Sequence, residues 1–293
     1  MHIPSEMLSG SVCPVTAVLA AGGVAVSAYA LVTGKSKIPS TSKFALTSAA
    51  VFALQMLNYP IWDGISGHLI GGVFAASILG APAAVLSLAI VLILQTLMFA
   101  DGGILMLGAN VFNMAVIGAG LGGLIKLMLE KKNVGESTAI GLAAFASVEL
   151  AVLAVCVELL ASGKGNFSIF VTLLGVHTAL AMCEGCATVA LSSLIKKSET
   201  SGAKKGVFAL SLLTIVALMI SPFASAFPDG FEWTMKNFAL LPDAPNFTNA
   251  PFIDYVVPAI SNDVVSGVVA GFIGVFVTML VSFGVAKILP TKA

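Results

Sequence analysis

A chain that opens Met1-His2 carries a chelate for a divalent metal ion. The α-amine, the amide nitrogen of residue 2 and the imidazole Nδ1 of His2 close a five-membered and a six-membered ring around one ion. That sets three nitrogens in one plane, a geometry suited to Ni(II) and Cu(II). Removing an amide proton also demands a strongly Lewis-acidic ion, which disfavours Zn, Mg and Ca. The fourth nitrogen must come from elsewhere, and the chain offers only His68 and His177 besides. His68 closes the run Asn58-Tyr59-Pro60-Ile61-Trp62-Asp63-Gly64-Ile65-Ser66-Gly67-His68, in which Gly64 and Gly67 let the backbone bend close to an ion. An imidazole ligand needs an oriented partner for its second N–H. On residue chemistry alone, a purely structural role for His2 stays open.

Other polar residues enter the apolar chain at few places. Asp101-Gly102-Gly103 precedes Asn110 and Asn113, which are read as outer polar groups able to orient the ligands or to bond between helices. His177 and Glu184 are seven residues apart and share a helical face, a possible proton or polar relay or a structural contact. Glu149 and Glu158 add further polar groups. Cys183-Glu184-Gly185-Cys186 has a redox or zinc spacing, but no second pair completes a zinc site, so a structural reading is preferred. Ala17, Ala21 and Ala25 form a small-residue stripe for close helix packing. No Walker-type phosphate loop and no Ser/His/Asp triad can be assembled, so the chain is not expected to be an enzyme or to hydrolyse ATP.

The elements that must position these residues are membrane helices. The 293 residues are 58% hydrophobic and 10% charged, with a mean hydropathy of +1.04, too little charge for a solvated surface. The predicted fold is an all-α polytopic membrane bundle of about nine transmembrane segments, seven plus two. They are expected near 11–33, 42–57, 67–80, 82–100, 105–129, 137–161, 168–195, 206–225 and 264–288, the third being short, Gly-rich and a candidate for a broken or re-entrant crossing. All fourteen basic residues are lysines. With nine crossings, twelve of them fall on one side, including Lys35, Lys126, Lys196 and Lys292. By the positive-inside rule that side is cytoplasmic, with the N-terminus outside, the C-terminus inside, and Met1 retained with a free amine. The outer side carries Glu6, Asp63, Asp101, Asp229, Glu232, Asp243, Asp254 and Asp263, an acidic surface that attracts cations. Zero net charge gives no case for nucleic acid. The expected organisation is a seven-helix domain over 1–195, a cytoplasmic Lys/Ser/Gly linker over 196–206, and a two-helix module with a 226–263 outer loop over 207–293.

Met1-His2-Ile3-Pro4, Asn58-Tyr59-Pro60 through Gly67-His68, Asp101-Gly102-Gly103 and Leu107-Gly108-Ala109-Asn110 through Asn113-Met114 together resemble the substrate-capture membrane subunit of nickel/cobalt energy-coupling-factor (ECF) transporters, the NikM/CbiM family. Pro228-Asp229-Gly230-Phe231-Glu232 resembles the Pro-Asp-Gly-Leu-Glu motif of the two-helix accessory subunit, here fused. Ser5-Glu6-Met7 departs from the family's usual Asp-Gly-Phe, and Trp62-Asp63-Gly64 is bulkier than usual. The resemblance implies ligands at Met1, His2 and His68, and Ni2+ as substrate, with Co2+ as the alternative. It also implies a cell-membrane location and, as partners, a coupling membrane subunit with two ATP-binding subunits. The rival readings are a proton-coupled secondary metal transporter using His177 and Glu184, and a membrane scaffold that binds no metal.

Overall fold

A computed structural model of the chain describes residues 2–241 and 249–289; Met1, Asp243 and Lys292, named above, lie outside the described residues. Each expected apolar segment becomes a helix: α1 (Val12–Val32), α2 (Thr41–Gln55), α3 (Gly72–Leu79), α4 (Ala81–Phe99), α5 (Ile104–Lys131), α6 (Glu136–Ala161), α7 (Phe167–Thr200), α8 (Ala203–Ile220) and α10 (Asp263–Ile288). Two elements were not foreseen. A hairpin of β1 (Tyr59–Trp62) and β2 (Ile65–Gly67) precedes His68, turned at Asp63-Gly64 with Gly64 at φ +77°. A short helix, α9 (Gly230–Asn237), lies within the stretch read as an outer loop.

Among the described residues seven helices are long and apolar enough to cross a membrane: α1, α4, α5, α6, α7, α8 and α10. The other two expected crossings are shorter. α2 has 15 residues, about 22 Å, and α3 has 8, about 12 Å. Nearly all of both is buried inside the bundle, including Thr47, Ser48 and Gln55 of α2. Their neighbours, rather than lipid, are their solvent, so length matched to the bilayer is not demanded of them. Ser48 and Ser87 join α2 to α4 by a 2.8 Å hydroxyl hydrogen bond. The third crossing is broken: non-helical His68–Gly71 leads into α3, which turns at Gly80 (φ +85°) directly into α4.

Contacts sort the loops to two ends. The Lys43–Glu199 ion pair (2.8 Å) and the Lys196–Glu136 pair gather the connections after α1, α5 and α7. At the other end, Ser9 N–H donates to Ser162 Oγ (3.1 Å), and Lys164 bonds the Glu6 carbonyl. This division follows the lysine pattern. Within 196–206, α7 runs on to Thr200, held by those ion pairs, and Ser201 and Gly202 (φ +136°) separate it from α8. Close packing uses small residues, as expected of Ala17. A Cβ on Gly108 of α5 would lie 2.6 Å from the Ala17 Cα. Among the described residues the four cysteines are free, with Cys183 and Cys186 exposed on α7.

Candidate metal centre

The segment before α1 enters the bundle beside α4 and α5, burying Ile3, Met7 and Leu8. Its register is set at Ile3. The Ile3 N–H donates to Asn110 Oδ1 (2.8 Å), while the Ile3 carbonyl accepts from Asn110 Nδ2 (3.3 Å) and from the Gly103 N–H (2.9 Å). The side-chain amide of Asn110 thus pairs with Ile3 as a neighbouring strand would, satisfying backbone groups that have no water to turn to. Gly103 must lack a side chain, because a Cβ there would lie 2.6 Å from the Ser5 nitrogen. Gly103→Ala is therefore expected to shift the segment and lower metal affinity at least about tenfold, the cost of losing an outer support of a ligand. Calorimetric titration with Ni(II) beside a thermal melt of the apo protein checks this. An affinity within twofold of wild type would refute it.

His2 is 7% exposed. Its Nε2 lies 3.2 Å from Gln95 Oε1, and its Nδ1 lies 3.2 Å from Asp101 Oδ1. The ring thus stands between an amide and a carboxylate, either of which can receive its proton. Burial lowers the imidazole's pKa, with the Asp101 charge working against that shift. Asp101 is aimed by the end of α4. Ala100 adopts a left-handed conformation (φ 56°), and the Asp101 N–H returns to the Gln95 carbonyl (3.2 Å) as a helix cap. Tyr255 braces it from the far part of the chain. The phenol donates to Asp101 Oδ2 (2.8 Å), and its ring stacks on Phe99 at 4.5 Å between centres. Asp254 and Tyr255 both take positive φ, 51° and 61°, to deliver that ring, a backbone cost of about 1–3 kcal/mol per residue.

His68 stands after β2, half-buried. Its Nδ1–H donates to the Leu69 carbonyl (3.1 Å), which puts the lone pair on Nε2. The His2 and His68 rings are stacked with centres 5.4 Å apart and planes 28° from parallel. Two imidazoles binding one ion at about 2.0 Å per nitrogen have ring centres roughly 4.5–6.4 Å apart, a range that includes this separation. Ser66, two residues earlier, donates its N–H to the Pro228 carbonyl (2.9 Å) and its hydroxyl to the Phe227 carbonyl (2.6 Å). These bonds bring the Pro228-Asp229-Gly230 turn over the hairpin. Asp229 caps α9, accepting from the Phe231 (2.8 Å) and Glu232 (2.9 Å) N–H groups. His2, His68, Asp101, Asp229, Glu232 and Tyr255 border one cavity of about 570 Å³. Burial, with the Asp229 charge beside it, pushes the Glu232 carboxyl above the ordinary glutamate range.

The geometry gathers His2, His68, Asp101 and Asn110 at one place. Asn113 lies deeper and donates to Glu158 Oε2 (2.9 Å). His177 donates to the Leu173 carbonyl (2.8 Å), and Glu184 accepts from the Ile70 (2.8 Å) and Gly71 (2.9 Å) N–H groups. Among the described residues no hydrogen bond joins His177 to Glu184. Gln95, Tyr255 and Gln55 were not picked out from the sequence. Gln55 and Gln95 are polar residues inside apolar runs, a signal that was available. Tyr255 had none, because its partner lies 154 positions away. Among the described residues no three His, Cys, Asp or Glu side chains form a cage for an ion.

The chain is a helical membrane bundle with two stacked imidazoles, a carboxylate and a buried N-terminal segment at one end. Residues 2–202 match the family described as cobalt uptake substrate-specific transmembrane region (CbiM), and residues 204–291 match the PDGLE domain. The chain belongs to the CbiM family, and it is a multi-pass membrane component of nickel or cobalt transport. It is 32% identical to a putative fused nickel transport protein NikMN of Archaeoglobus fulgidus, over 98% of each chain. It is 35% identical to a probable fused nickel transport protein LarMN of Lactiplantibacillus plantarum, over 54% of this chain and 48% of that one. A crystal structure of a transition metal transporter superposes with a TM-score of 0.60 at 28% identity, covering 68% of this chain and 94% of the other.

Proposed function

We propose that the chain captures Ni(II), in preference to Co(II), through the amine of Met1, the backbone nitrogen and Nδ1 of His2, and Nε2 of His68. It would be the substrate-specific component of an ECF-type importer. The observation that carries this reading is the stacked His2–His68 pair, with the Leu69 carbonyl holding the His68 proton on Nδ1. The Asp101 carboxylate 3.2 Å from His2 Nδ1 supports it too. A carboxylate beside that nitrogen adds negative charge where the incoming cation would sit. The planar nitrogen set favours nickel, as does full-length similarity to a protein named for nickel transport.

The twelve-lysine end faces the cytoplasm in this reading, so the ion enters from outside through the acid-lined cavity. Residues 1–195 act as the capture domain. Residues 207–293 form the accessory module, joined through the 196–206 segment. A coupling membrane subunit and two ATP-binding subunits supply the energy. Met1 must keep a free amine.

The test is titration of the purified full chain with Ni(II), Co(II) and Cu(II), followed by calorimetry and absorption. Ni(II) should bind tighter than Co(II) and give a planar four-nitrogen spectrum. Equal affinities with an octahedral spectrum would overturn the reading.

Acid should weaken binding. A free amine titrates near about 8 and an ordinary histidine near about 6.5. Burial lowers His2, so its ring stays deprotonated to a lower pH than an ordinary histidine and competes less with the ion. The amine and the amide carry the main proton cost. Between about pH 8 and about pH 6 the Ni(II) affinity is expected to fall at least about a hundredfold, one decade per pH unit for each proton released. Calorimetry in buffers of different ionisation heat should report more than one proton released per ion, and no release would contradict the chelate.

A further inference from the structure

The ligand His68 is held by a stretch of backbone that is not helical although it lies inside the bundle. Such backbone survives in a membrane only where protein groups satisfy it. Two buried side chains do so. Glu184 of α7, 3% exposed, accepts the Ile70 N–H on one carboxylate oxygen and the Gly71 N–H on the other, at 2.8 and 2.9 Å. Gln55 of α2, 4% exposed, donates its amide to the Ile70 carbonyl at 2.7 Å. Gly71 is left-handed at φ +74°, where the chain turns into α3. The adjoining carbonyl, that of Leu69, receives the His68 Nδ1–H.

We propose that Glu184, with Gln55, is a positioning residue for metal capture: it clamps Ile70–Gly71 so that the Leu69 carbonyl fixes the tautomer and direction of the His68 imidazole. This rests on the ligand assignment made above and adds to it a residue of α7 that touches no ion. Glu184 spans the break between the ligand-bearing loop and α3. Carboxylate bonds to two adjacent N–H groups resist rotation of the intervening peptide better than one bond does, and that peptide leads to the Leu69 carbonyl.

The experiment is a double-mutant cycle on the full-length protein in lipid nanodiscs, read as Ni(II) affinity. Glu184→Gln leaves one good acceptor where two are needed. In the wild-type background it is expected to cost about tenfold to a hundredfold, the range for outer partners of a histidine ligand. In a His68→Ala background the same change should cost less than twofold, because the group it positions is gone. A merely structural role would cost the same in both backgrounds, and that result overturns the proposal, as does no cost in either. If His68→Ala itself binds like wild type, the ligand assignment fails and the clamp with it, a distinguishable outcome. Should Glu184→Gln fail to fold, Gln55→Met serves in the same cycle. It removes the donor to Ile70 at similar volume, with a threefold to tenfold loss expected only where His68 is present.

Discussion

A three-residue extension before Met1 is expected to lower the Ni(II) affinity of the full-length protein at least a hundredfold, about 2.7 kcal/mol. The extension turns the terminal amine into a peptide nitrogen. The free amine then lies too far along the chain to share fused chelate rings with the His2 imidazole, and Met1 could bind only by losing a second amide proton. Nor can the segment slide to compensate. Ile3 is locked on both its N–H and its carbonyl by Asn110 and Gly103, and Gly103 already touches the Ser5 backbone as closely as a glycine can. The fold should be indifferent to the change, so the apo melting temperature serves as the control. Loss of the planar absorption band together with the affinity is the expected result. An extended protein with the wild-type band and affinity would remove the amine from the site.

His68→Ala should act differently. It deletes one nitrogen and leaves the Met1-His2 chelate intact, so binding persists but weakens about tenfold to a hundredfold. Water replaces a nitrogen in the plane, and the weaker ligand field moves the absorption band to longer wavelength. His68 is half-buried and its hydrogen bond is to its own neighbour, so stability should change little. The pair of variants separates the two halves of the site: the extension removes the spectrum, and His68→Ala shifts it. A His68→Ala protein that keeps an unshifted four-nitrogen band would exclude His68.

The helices were legible because apolar length is a local property, and each expected segment is a helix within a few residues. The division of loops into two ends was legible for the same reason, since lysines cluster between the runs. The depth of α2 and α3 in the bundle was not. Sequence reports that a segment is apolar without saying whether lipid or protein surrounds it. For the candidate site, residue type and placement marked His2, His68, Asp101 and Asn110, and the family resemblance raised His2 above a purely structural role. What escaped were groups whose meaning lies in a distant partner. Gln95 meets His2, Gln55 meets Ile70, and Tyr255 meets Asp101, none at a spacing that periodicity encodes. Glu184 was noticed and assigned to a relay with His177, because seven residues put them on one face. Its carboxylate instead points at the bared N–H groups of a different crossing.

Tyr255 and the Phe227–Pro228 carbonyls reach the metal end from beyond Gly202, and they do so on the same polypeptide. A tethered segment behaves as though present at millimolar local concentration. The bracing of Asp101 and of the hairpin is therefore insensitive to how much protein the cell makes. It cannot be titrated away by dilution in the bilayer, and every copy has a one-to-one ratio of capture site to brace. Cutting the chain between Ser201 and Gly202 would exchange that certainty for a second-order encounter, and metal loading would then follow the abundance of the smaller fragment.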